Sequence, residues 1–181
     1  MEQPKMEALN PKNEAHCECF RRMMHAYAAE LGGMEEFAGK QGIDAFVEKW
    51  TDSILHLLGP ADRHLVLCWL DNIPAGFLYG KVDHREHRGF VKPGYGYIME
   101  FYVVPQFRRR GVGTAMFAHL EQCFMIDGAT KMYLTTDTDE GISFWRKMDF
   151  ANTHEKSPDN QTEIYEKMIA TSSDADNSAC S

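Results

Sequence analysis

Tyr97-Ile-Met-Glu-Phe-Tyr-Val-Val-Pro105 leads into Gln106-Phe-Arg-Arg-Arg-Gly-Val-Gly113 and then into Thr114-Ala-Met-Phe-Ala-His-Leu-Glu121. The first segment is dense in β-branched and aromatic residues and is closed by a proline, the pattern of a strand. Val112, Ala115, Met116, His119, Leu120, Cys123 and Phe124 recur at i, i+3, i+4 spacing and mark one face of a helix. Between strand and helix stand three consecutive arginines and two glycines one residue apart.

A strand that stops, turns through glycine and enters a helix leaves the first helical amides unpaired and facing the turn. The helix dipole adds partial positive charge there, and glycine lets a ligand approach the main chain. Such a place suits a phosphate or pyrophosphate. By itself the pattern also fits a tight turn with solvated arginines. Two nucleotide motifs are excluded. A dinucleotide fingerprint needs glycine where Met116 stands, and Gly113-Thr114 lacks the P-loop lysine.

Arg108-Arg-Arg-Gly-Val-Gly113 resembles the Arg/Gln-x-x-Gly-x-Gly/Ala signature of the GNAT family of N-acetyltransferases. Downstream, Ile142-Ser-Phe144-Trp145-Arg-Lys-Met-Asp-Phe150 is similar to that family's Phe-Tyr-x-Lys-x-Gly-Phe helix end. The two matches stand in the family's order. The resemblance covers residues 5–169, the first third by layout only.

It implies an α/β fold: a twisted, mixed, mostly antiparallel sheet, flanked by helices, whose central parallel strand pair splays. The chain read in order agrees. A short strand is expected over 5–9, then a helix opened by Asn10-Pro11 and running to about Leu31, where Gly32-Gly33 ends it. A helix over 43–58 follows, with Glu35 and Glu36 in the loop between the two. Strands 64–70 and 75–82 flank a polar Asp71-Asn-Ile-Pro74 turn, and 83–96 is a loop. The remaining expectations are a helix over 111–126, a strand over 132–136, a helix over 139–148, and strands over 150–154 and 163–169. The strand-helix-strand unit from 97 to 136 should be parallel and right-handed. Residues 5–169 are expected to be one domain, with a flexible start at 1–4 and a disordered acidic tail at 170–181.

Composition sets the bounds. With 181 residues, 44% of them hydrophobic, a packed core is expected. Acidic residues outnumber basic ones by 27 to 19, which argues against nucleic acid or an anionic membrane as partner and favours a cationic acceptor. The arginine triplet is a local exception to that charge. Five cysteines with no framework spacing suggest reduced thiols. Neither His16-Cys17-Glu18-Cys19 nor His84 and His87 has the further ligands a metal needs, so none is expected. No basic-then-apolar leader and no apolar run of about 18 residues is seen, and a soluble cytoplasmic protein is expected.

The resemblance implies an acetyl-coenzyme A-dependent N-acetyltransferase that moves an acetyl group to a primary amine by direct transfer in a ternary complex. The acceptor would be a small molecule, a peptide or a protein, and the enzyme a monomer or homodimer. The resemblance assigns the main chain of Arg109, Arg110, Gly111, Val112, Gly113 and Thr114 to the pyrophosphate, with the side chains of Arg108, Arg109 and Arg110 adding charge. It assigns the main chain of Tyr102, Val103 and Val104 to the pantetheine arm, with the Val103 amide a donor to the thioester carbonyl. Thr138 stands where relatives often carry a cofactor-contacting asparagine, and Trp145 where many carry a tyrosine acid.

An alkyl amine of pKa about 10.4 must lose a proton near neutrality, at a cost of about 4.6 kcal/mol at pH 7. Glu100, the one acid within the strand, is the candidate base, or else is paired structurally with an arginine. Strand alternation puts it on the face of Ile98 and Tyr102. With Trp145 offering no acidic proton, Tyr102, Tyr133 or water is left to protonate the departing thiolate. That departure keeps a non-catalytic acyl-coenzyme A-binding module open as the alternative. Asp149, in place of the motif's glycine, suggests a different helix exit.

Overall fold

The computed structural model describes residues 3–32, 34–136 and 138–169. Residues 1 and 2 of the expected flexible start, Asp137 and the expected tail from Ala170 lie outside the described residues. Seven strands make one sheet: β1 (Lys5–Ala8), β2 (Arg63–Leu70), β3 (Ile73–Val82), β4 (Gly96–Val103), β5 (Lys131–Thr135), β6 (Ala151–Lys156) and β7 (Glu163–Met168). Their order is β1-β2-β3-β4-β5-β7-β6. The sheet is mixed and mostly antiparallel, as expected. The β4–β5 pair is parallel, whereas β1–β2, β5–β7 and β6–β7 are antiparallel. The helices are α1 (Glu14–Glu30), α2 (Met34–Ala38), α3 (Ile43–His56), α4 (Val112–Ile126) and α5 (Asp139–Lys147). Contacts group the chain into two compact units, Met1–Tyr79 with Glu100–Met116, and Gly80–Met99 with Phe117–Ser181.

In the first unit, Phe20 and Met24 of α1, Val47 of α3, Leu67 of β2 and Phe77 of β3 are fully buried. Phe20 meets Phe77 edge-on, with ring centroids 5.0 Å apart. The start of α1 is later than Asn10-Pro11 suggests. Asn10 closes a turn by accepting from the Lys12 amide at 3.0 Å, and Asn13 caps the helix by accepting from the Ala15 and His16 amides. Glu35 and Glu36 lie on the short helix α2, not in a loop; Met34 and Ala38 anchor it by burial. Asp71 and Asn72 both take left-handed φ, 52° and 61°, so the β2–β3 hairpin turns on two residues, and Ile73-Pro74 belong to β3.

In the second unit, Met132, Tyr133 and Leu134 of β5 are buried. The parallel ladder covers Gly96↔Met132 and Tyr97↔Tyr133, and the rings of Tyr97 and Tyr133 stack 4.5 Å apart. Phe124 lies in the hollow left by Gly80 and Gly96. A Cβ on either glycine would collide with its ring, on Gly80 at 2.7 Å. Fully buried Asp83 accepts from the Tyr133 hydroxyl at 2.5 Å and the Lys92 amide at 2.9 Å, with Lys81 Nζ 2.9 Å from its other oxygen. Asp149 adopts φ 66° and so takes the conformation a glycine would, contrary to the altered exit expected from the sequence. A short polar side chain is one of the few that tolerates this region.

Candidate active site

The first unit gathers the end of β4, the arginine turn and the first turn of α4. Pro105–Phe107 form a single 3-10 turn, sealed by Phe107 N–H to Val104 C=O at 2.9 Å and by burial of the Phe107 ring. The chain then passes through Arg109 at φ 61° and Gly111 at φ 81°. The Ala115 amide is the first to close a helical bond, donating to Gly111 C=O at 3.0 Å. Among the described residues, no amide from Arg109 to Thr114 donates a well-formed hydrogen bond to a protein acceptor. A Cβ on Gly111 would meet nothing within 4 Å, so the approach to these amides is open. Arg109 and Arg110 are exposed, and Arg110 lies over the Phe107 ring at 5.5 Å. The turn is an electropositive main-chain surface suited to an anion.

Arg108 has other partners. Its Nε donates to Val103 C=O at 2.8 Å, and its guanidinium pairs with Glu30 at the end of α1. Val104 N–H donates to Ala75 C=O of β3 at 2.9 Å. Because successive residues of a strand turn their amides to opposite edges, Val103 directs its N–H away from β3.

Glu100 and Tyr102 share one face of β4, as alternation requires, and both meet Tyr27 of α1. The Tyr27 hydroxyl donates to Glu100 Oε2 at 3.0 Å, and its ring lies 5.5 Å from that of Tyr102. The partner of Glu100 is therefore a phenol, not an arginine. Glu100 as a residue is only half-buried, yet enough protein surrounds its carboxyl that desolvation pushes the pKa up to about 8, against the opposing bond from Tyr27. Buried Tyr102 donates to Glu30 Oε1 at 2.9 Å. Desolvation first, then the Glu30 carboxylate, pushes its phenol up to about 12.

Tyr27 and Glu30 were absent from the candidates the sequence supplies. They lie 73 and 72 positions from their β4 partners, on a helix whose apolar stripe reads as ordinary core. The remaining expected residues belong to the second unit. Thr138 caps α5, its hydroxyl accepting from the Gly141 amide at 3.2 Å. Trp145 is buried against Phe117, Phe144 and Phe150. Tyr133 is buried and bonded to Asp83; desolvation first, and then that carboxylate, drives its pKa strongly upward.

Residues 20–150, more than half of the chain, match the model of the acetyltransferase (GNAT) family. The chain belongs to that family. This GNAT chain matches no protein of curated function by sequence. Among solved structures it resembles PaiA N-acetyltransferase from Thermoplasma acidophilum, determined in complex with coenzyme A. The TM-score is 0.69 and the identity 13%, over 92% of this chain and 99% of that one. The ribosomal-protein-S18-alanine N-acetyltransferase from Escherichia coli gives a TM-score of 0.61 at 13% identity, over 94% and 96%. Ard1 from Thermoplasma volcanium gives 0.61 at 18%, over 93% and 99%. At these identities the GNAT chain shares a fold with them. Among its described residues no helix is long and apolar enough to cross a membrane, and no cluster of three or more His, Cys, Asp or Glu side chains is placed to hold a metal.

Proposed function

We propose that the chain is an acetyl-coenzyme A-dependent N-acetyltransferase that passes the acetyl group directly to a primary amine in a ternary complex. The observation that carries this reading is the run of amides from Arg109 to Thr114 that donate no well-formed hydrogen bond, open at Gly111 and flanked by exposed Arg109 and Arg110. Those groups fit a diphosphate, and the Val103 N–H, turned away from β3, suits a pantetheine arm or the thioester carbonyl. When bound, acetyl-coenzyme A supplies an activated acyl thioester. Family membership supports acyl transfer in general.

Glu100 takes a proton from the incoming ammonium in this reading. Its pKa near 8 narrows the gap to an alkylammonium at about 10.4, compared with an ordinary glutamate near 4.3. Tyr27 holds one carboxyl oxygen and leaves Oε1 for the amine. Protonation of the departing thiolate falls to Tyr102 or to water. A thiolate of pKa about 8.5 leaves readily, and the bond of Tyr102 to Glu30, with its raised pKa, favours water. The buried ring of Trp145, whose indole N–H is no acid near neutral pH, favours the alternative, a non-catalytic acyl-coenzyme A-binding module.

One experiment separates the two. The protein is incubated with acetyl-coenzyme A and a panel of primary amines while free thiol is followed, and coenzyme A binding is measured by calorimetry. Thiol release that depends on an amine supports the transferase. Binding without turnover on any amine supports the module, and no binding at all removes both.

A further inference from the structure

The face of the first unit beside Glu100 is built of aromatic rings. Phe46 and Trp50 of α3 lie 6.0 Å apart and tilted, Trp50 lies 6.0 Å from Tyr27, and Tyr27 bonds to Glu100. Phe46, Trp50, Tyr27 and Glu100 are each only half-buried, so every member of this row keeps surface open. Behind it, Phe77 and Tyr102 back the Tyr27 ring at 5.8 and 5.5 Å.

The carboxylates of α3 are tied to side chains of α1. Glu48 and Asp52 are bonded to Arg21 at 2.6 and 2.5 Å, Glu48 also to His25 at 2.8 Å, and Asp44 lies 3.6 Å from His25. Glu30 is held by Arg108 and Tyr102. Glu100 is held by a neutral phenol instead. Among these carboxylates Glu100 alone pairs with neither an arginine nor a histidine, and aromatic rings stand beside it.

From this row and this single carboxylate we infer that the acceptor is a monoamine carried on an aromatic body, with Trp50 and Phe46 as its specificity-determining side chains. The inference rests on the transferase reading above. In this inference the amine meets Glu100 while its ring lies along the aromatic row at Trp50. Aromatic pairs attract one another beyond the area they bury. Added to the extra apolar surface covered, this amounts to a preference of about tenfold or more over an alkyl amine of similar size.

The test compares phenethylamine, n-butylamine and spermidine as acceptors for the wild type, Trp50→Ala and Trp50→Phe. Expected is a kcat/KM for phenethylamine about tenfold or more above the other two. Trp50→Ala should remove most of that margin through KM, lowering phenethylamine turnover more than that of butylamine, and Trp50→Phe should keep it. Equal rates for butylamine or spermidine overturn the inference and leave the transferase standing. So does a loss in Trp50→Ala that is the same for all three amines. If no amine is turned over, the transferase reading fails. Calorimetry in the presence of coenzyme A then decides the row by itself: phenethylamine binding about tenfold tighter than butylamine sustains it, and equal affinities end it.

Discussion

The Tyr27 phenol on α1 donates to the carboxyl of Glu100 on β4 at 3.0 Å, which gives the one acid of that strand a neutral partner. A carboxylate beside an arginine would be held ionised and be a weak base. Beside a phenol and short of water, it keeps its proton to about pH 8.

Catalysis should therefore follow the ionisation of Glu100. As the base it must be deprotonated, so kcat/KM should rise about tenfold per pH unit below about 8 and level above it. It should fall again as an alkyl acceptor loses its own proton near 10.4. Glu100→Gln should lower the plateau about 10²- to 10⁴-fold and erase the lower inflection. An unchanged profile in that variant makes Glu100 structural.

Stability should carry the opposite sign. The folded carboxyl titrates near 8 and the unfolded one near 4.5, so folding takes up a proton between these values. This contribution is fully present below about pH 4.5 and is lost as pH rises through about 8. Glu100→Gln does not titrate, so its Tm advantage over the wild type should grow from pH 5 to pH 8. A gap that stays constant with pH contradicts the raised pKa.

Gly111→Val introduces a branched side chain at φ 81°. No atom stands within 4 Å of the new Cβ, so the cost is conformational, about 1–2 kcal/mol. The larger effect is on the approach to the amides around it. Coenzyme A affinity, measured by calorimetry, should drop at least about tenfold, with the fold retained by circular dichroism. Undiminished affinity would place the diphosphate elsewhere.

Gly96→Ala drives a methyl group into the Phe124 ring. Overpacking of this kind costs about 1–3 kcal/mol, and a lowered Tm should report it. Phe124→Leu alone also destabilises, by opening a void. Together the two changes should cost less than their sum, a coupling that a double-mutant cycle reads directly. Simple additivity would mean that the ring does not rest on the glycine.

The legible parts of this chain were those written locally. The strand to Val103, the arginine turn and α4 stand where their composition puts them, because proline, glycine and a helical stripe sit next to one another in sequence. Boundaries failed where two signals competed. Asn10-Pro11 and Asn13-Glu14 both read as helix starts, and the side chain that reaches its own amides won. The five residues of α2 span too little chain to show a period. At the site, Glu100 was visible as an acid out of place in a strand, but its partner was not. Nothing in the neighbourhood of Tyr27 announces a contact with a residue 73 positions on.

Arg108 reaches Val103 with its Nε and Glu30 with its Nη2. One side chain is thereby fastened at once to the end of β4 and to the helix that presents Tyr27. In the proposed transferase, a coupling between the turn and the acceptor side through this residue would be reciprocal, each ligand changing the affinity of the other by the same factor.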